Sequence, residues 1–157
     1  LYYSPLDDAA NHALAVRAAT AGVVALTPVF SAASRVDVPP PSPAALALPV
    51  RAAAEAAGWG RAPVLGEVAF LDAAIDEAAR AGAAVLVAMA GGPPASAALG
   101  DRPFTVALFC PTAGAFTPDE LARAAARGGQ AIGWDPAAAP VAAVGGALES
   151  VYAALDP

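Results

Sequence analysis

The chain has no lysine: all eight of its basic residues are arginine, scattered from Arg17 to Arg127 with no basic cluster. Against 14 acidic residues this leaves a formal charge of −6. That balance argues against nucleic acid or an anionic membrane surface as a partner, since both need a basic face. It also removes the lysine on which the usual phosphate-binding loop depends. Cysteine and histidine occur once each, as Cys110 and His12. One cysteine forbids an intrachain disulfide and suits a reducing, cytoplasmic compartment. One of each cannot complete a zinc site, so no metal centre is expected. The opening Leu1-Tyr2-Tyr3-Ser4-Pro5 lacks the basic start and long apolar run of a signal peptide.

Long apolar runs are also scarce. No charge falls between Arg80 and Asp101, but Gly91-Gly92-Pro93-Pro94 interrupts that stretch. A spanning helix broken there would leave backbone groups unpaired in lipid, so no membrane partner is expected.

What is abundant is alanine, which fills about three positions in ten. Alanine favours helix but has a single methyl group to bury, so the apolar fraction of 58% overstates the bulk available for a core. At 157 residues the chain suits one domain, 1–157, with a core two or three layers deep.

The breaks in the alanine background set out the elements. Asp7-Asp8 opens a helix that Gly22 ends, its carboxylates placed where the helix dipole favours them. Val23–Thr27 reads as a buried strand. Four prolines within five positions close a connecting loop over 31–43. A helix is expected over 44–57, a strand over 64–70, and a helix over 71–81 with Gly82 as its stop. Ala83–Ala90 and Phe104–Phe109 read as central strands. Thr117-Pro118-Asp119-Glu120 predicts a capping box in front of a helix ending at Arg127. Gln130–Trp134 reads as a strand and Pro140–Leu155 as a final helix interrupted in pattern by Gly145-Gly146. This alternation predicts a three-layer α/β domain: a mostly parallel sheet of about five strands flanked by helices, Rossmann-like or flavodoxin-like.

In such sheets, ligands sit beyond the carboxyl ends of the strands. The residues carried there would be Gly91, Gly92, Ser96, Cys110, Thr112 and Asp135, with Trp134 or Phe109 as apolar contact. The glycine pair would let backbone amides approach an anion, and Ser96 would stand at a helix start. Cys110 is the weak catalytic candidate. As a thiolate it would need a cation such as Arg102, or the helix beginning near Thr117, to lower its pKa. His12 beside Asn11 has no nucleophile near it in sequence. Asp72 and Asp76 lie one turn apart on a helix with Glu77 and Arg80, which favours a solvated ionic face over a cation site.

The run Pro111-Thr112-Ala113-Gly114-Ala115-Phe116-Thr117-Pro118 resembles the Pro-Gly-Ala-Phe-Thr-Pro stretch that precedes the reactive cysteine of peroxiredoxins. In that family the cysteine stands two residues after the proline, where this chain has Glu120. Cys110 lies upstream instead, so the resemblance carries no peroxidase activity over.

These residues point to a small-molecule-binding α/β domain, degenerate or accessory as an enzyme, with its ligand at the C-terminal edge of the sheet. The ligand should be neutral or singly charged rather than a triphosphate, and no particular cofactor is indicated. Two alternatives remain: a non-catalytic interaction or structural subunit of a homo-oligomer, and a thiol-dependent enzyme using Cys110.

Overall fold

A computed structural model describes residues 1–100 and 103–156. The helices are α1 (Asp8–Thr20), α2 (Pro43–Ala56), α3 (Leu71–Arg80), α4 (Ala95–Ala98), α5 (Pro118–Ala126) and α6 (Pro140–Leu155). The strands are β1 (Tyr2–Tyr3), β2 (Ala25–Phe30), β3 (Val64–Leu65), β4 (Ala69–Phe70), β5 (Ala84–Ala90), β6 (Val106–Cys110) and β7 (Gln130–Trp134). All seven join one sheet in the order β3-β2-β1-β6-β5-β7, with β4 pairing onto β2 further along the same side as β3. Every pairing is parallel.

Period-two alternation sorts each strand between two cores. Leu86 and Ala88 of β5, with Leu108 and Cys110 of β6, face the layer of α1, α2, α4 and α6. Val85, Val87, Ala107 and Phe109 face α3 and α5. The expected α/β layering is therefore present, with seven strands in place of about five. The two added strands come from β1, which was not expected, and from the division of the strand expected over 64–70 into β3 and β4. All three are two residues each, too short to carry a periodic signal.

Three boundaries moved. The strand expected at Val23–Thr27 starts at Ala25 and continues through Pro28 to Phe30. Proline is normally kept out of central strands because it removes a ladder donor. Thr27 donates to the Leu1 carbonyl on the β1 side. Position 28 therefore faces the other neighbour, where the partner strand is broken into β3 and β4 at residues 66–68 and no donor is needed. That same break splits the strand expected over 64–70. Finally, β6 begins only at Val106, and Phe104 is fully exposed.

The helix ends follow the sequence closely. Asp7 caps α1 and Ser42 caps α2. Thr117 and Glu120 complete the expected reciprocal box at α5. Gly145 and Gly146 leave α6 unbroken. At Gly145 an added Cβ would come 3.0 Å from the Arg17 guanidinium, so the missing side chain admits the Arg17 that pairs with Glu149. No helix of the described residues is long and apolar enough to cross a membrane.

Candidate functional site

Parallel strands deliver their C-terminal ends to one edge, where Gly91, Gly92, Cys110, Thr112 and Asp135 end or follow strands. Ser96 instead sits inside α4, whose Ala95 amide donates to Ser150 Oγ well along α6. Their loops divide that edge in two.

Over β1, β2 and β6 the loops are tied shut. Thr112 Oγ1 donates to the Ser4 carbonyl at 2.5 Å, and the Ser4 and Ser31 hydroxyls lie 3.3 Å apart. The Ser31 amide donates to Ser34 Oγ. Glu120, buried at 4% exposure, accepts from the Ala32 amide at 2.7 Å and the Thr117 amide at 2.8 Å. A Cβ on Gly114 would touch Ala33 at 3.0 Å, so the two loops are in contact there. The buried Asn11 side chain holds both the amide and the carbonyl of Leu6. This network uses Ser4, Ser31, Ser34 and Glu120, none of which the sequence reading placed at the edge. The capping-box spacing marked Glu120, but its reach to Ala32 has no local sequence signal.

Over β5 and β7 the edge forms a lip. Gly91 turns with φ +70°. The Gly92 amide donates to the Met89 carbonyl, so it is already engaged. A Cβ on Gly92 would lie 2.4 Å from the Ile132 carbonyl oxygen, and Gly133 donates to the Pro93 carbonyl at 2.7 Å. Gly92 is therefore required by a close crossing of two backbones and Gly91 by its left-handed turn, structural reasons for the pair that need no bound anion. Trp134, paired with Ala90, is half-buried. Asp135 is exposed and accepts from the Ala137 amide at 2.9 Å.

The six candidates thus share no single surface, and five of them share the edge. Gly91, Ser96 and Asp135 are exposed and Gly92 is half-buried, whereas Cys110 and Thr112 are buried. Thr112 has spent its hydroxyl on Ser4. Phe109 is fully buried in a stack on Tyr2, ring centroids 4.2 Å apart, and is no ligand contact. Burial pushes the Cys110 thiol up to about 12, which keeps it protonated at neutral pH. The thiol-enzyme alternative gains no support from such a group, since a reactive cysteine needs thiolate and access. Arg102, named as a possible activator, lies outside the described residues.

Elsewhere His12 is exposed on α1. Asp72 and Asp76 form ion pairs with Arg123 and Arg127 across α3 and α5, which makes them the ionic face expected, though with partners on another helix. Among the described residues no group of three metal-ligating side chains occurs. A hollow of about 210 Å³ lies at the opposite, N-terminal edge of the sheet, lined by apolar groups including Val24, Phe104, Leu148 and Tyr152.

No family model matches the chain, and no curated protein matches it. Solved structures do. A probable rRNA-methyltransferase from Porphyromonas gingivalis superposes with TM-score 0.82 at 15% identity, covering 98% of this chain and 66% of that one. A ribosomal RNA small subunit methyltransferase E from Neisseria gonorrhoeae, bound to S-adenosylmethionine, gives 0.76 at 20% identity, covering 97% and 64%. A putative methyltransferase from Legionella pneumophila, also with bound S-adenosylmethionine, gives 0.68 at 18% identity, covering 98% and 65%. The chain spans about two thirds of the length of these proteins. At these identities the likeness is one of fold, a Rossmann-like α/β sheet shared with methyltransferases.

Proposed function

We propose that the chain is a small-ligand-binding domain that takes S-adenosylmethionine at the lip formed by the ends of β5 and β7. The observation that carries this reading is the meeting of Gly91–Pro93 with Gly133–Asp135 at the C-terminal edge, where parallel α/β sheets hold their ligands. Two of the solved structures that share this fold hold that molecule.

The residues present fit its chemistry. S-adenosylmethionine carries a sulfonium, an ammonium and a carboxylate, hence a net positive charge, and no phosphate. No lysine or arginine occurs in 91–94, 111–117 or 134–139 to oppose the sulfonium. Asp135 offers an exposed carboxylate to the cationic end, and the half-buried Trp134 offers an apolar face to the base. When bound, the molecule would supply an electrophilic methyl group. The part of this chain is to bind and orient, which is the larger share of what such a transfer asks of a protein.

The reading stops at binding, with the domain degenerate or accessory as an enzyme. Among the described residues of the lip the one carboxylate is Asp135, and this reading gives it to the cationic end of the ligand, through the oxygen not held by the Ala137 amide. We also infer that this portion does not hold RNA. Among the described residues Arg17, Arg35, Arg51, Arg123 and Arg127 are each ion-paired and only Arg61 and Arg80, far apart in sequence, are not, which supports the absence of a free basic face there. A second reading, an interaction subunit, is favoured by one observation: Val24, Trp59, Phe104 and Tyr152 expose apolar surface around the opposite edge.

Isothermal titration separates these. Saturable binding of S-adenosylmethionine and S-adenosylhomocysteine, with none of ATP, supports the ligand reading. Binding of neither, together with dimerisation in sedimentation, favours the interaction subunit.

A further inference from the structure

Tyr3 is the last residue of β1 and is fully buried, level with Pro28 of β2 and Cys110 of β6. Alternation sends Tyr2 to the α3/α5 face and Tyr3 to the core shared by α1, α2, α4 and α6. A strand side chain stands roughly perpendicular to its sheet. The phenol ring therefore carries its hydroxyl into the helical layer, just inside the edge at which α1 and α6 begin.

Among the described residues, no protein group lies within hydrogen-bond reach of Tyr3 Oη, and it is the one buried side-chain nitrogen or oxygen so placed. The polar groups around it in sequence and register behave differently: Ser4, Asn11 and Thr112 are buried and all bonded. An unpaired buried hydroxyl opposes folding, and phenylalanine would fill the same space without one. Packing alone therefore gives no reason for tyrosine at this position, and such a group calls for another explanation.

We infer that Tyr3 is a specificity residue of the ligand site, its hydroxyl donating to an acceptor atom of the molecule bound at the C-terminal edge. The inference rests on the reading of that edge as a ligand site. It adds a donor from β1 to a lip otherwise built from β5 and β7. Because Tyr3 has no solvent exposure and Thr112 and Asn11 hold the turn that begins α1 at Ser4 and Leu6, the acceptor atom reaches it from the side of the turn that begins α6. Burial also raises the phenol further above its ordinary pKa, so the group is a donor throughout the physiological range.

The test compares the wild type with Tyr3→Phe in two measurements: urea denaturation without ligand, and titration with S-adenosylhomocysteine. The expected variant is at least as stable as the wild type and binds about tenfold more weakly, the loss of one hydrogen bond. A variant that is less stable without ligand, or fails to fold, overturns the inference, because the hydroxyl then serves the fold. Equal affinity in the two proteins overturns it while leaving the ligand reading intact. A wild type that binds neither S-adenosylmethionine nor its homocysteine product overturns that reading, and the role of Tyr3 with it.

Discussion

Replacing Glu120 with alanine probes the join that closes half of the ligand edge. One carboxylate oxygen accepts from the Ala32 amide, and the other from the Thr117 amide and hydroxyl, at 2.7, 2.8 and 3.2 Å. The reciprocal cap contributes about 1 kcal/mol. Hydrogen bonds to a charged acceptor contribute roughly 1.5–3 kcal/mol each, less where water can replace them, as at the exposed Ala32. Glu120→Ala should therefore cost about 2–4 kcal/mol, read from urea denaturation midpoints at constant slope. Glu120→Gln keeps the shape but loses the charge assistance and should recover about half of that loss. Thr117→Ala should cost about 1 kcal/mol alone and add less than fully to Glu120→Ala, since the two share bonds. Amide exchange gives the local reading: protection at Ala32 should vanish in Glu120→Ala and persist in Thr117→Ala. A cost below about 0.5 kcal/mol, the range of ordinary surface changes, or strict additivity with Thr117→Ala would refute the join.

Three further outcomes follow from the glycine geometry and the buried thiol. Gly146→Ala, exposed on α6 with open space around its Cβ, should stabilise by about 0.5–1 kcal/mol. Gly92→Ala, driven against the Ile132 carbonyl, should destabilise by about 1–3 kcal/mol or more, both read as shifts in thermal midpoint. Cys110 should resist thiol reagents at pH 8 until the protein unfolds. Its pKa is raised from 9.0 to about 12, so the folded state holds its proton more tightly than the unfolded chain. The Cys110 contribution to stability should be intact below pH 9 and fall away between pH 9 and 12, a loss that Cys110→Ala should reduce.

How much of this was legible in the chain depended on where the information sits. The capping box at Thr117–Glu120, the final strand Gln130–Trp134 and the helix Pro140–Leu155 are local matters of caps, breakers and short apolar runs, and they stand where the sequence put them. Tyr2–Tyr3 carries no such pattern; it is a strand because β2 and β6 flank it. Pro28 sits in a strand because the neighbour fails at the same level, which no local rule foresees. At the edge, the topology argument brought Gly91 to Asp135 together but could not tell an exposed residue from a spent one. Thr112 and Gly92 are occupied by Ser4 and Met89, partners 108 residues away in one case and three in the other.

The most direct test of the ligand edge is a map of amide chemical-shift changes on adding S-adenosylhomocysteine to the ¹⁵N-labelled chain. The account predicts saturable shifts concentrated at Gly91–Gly92 and Gly133–Ala137, with smaller ones at Tyr3 and Ser4. Shifts concentrated instead at Gly22–Val24, Phe104 and Tyr152, on the opposite edge of the sheet, would contradict it.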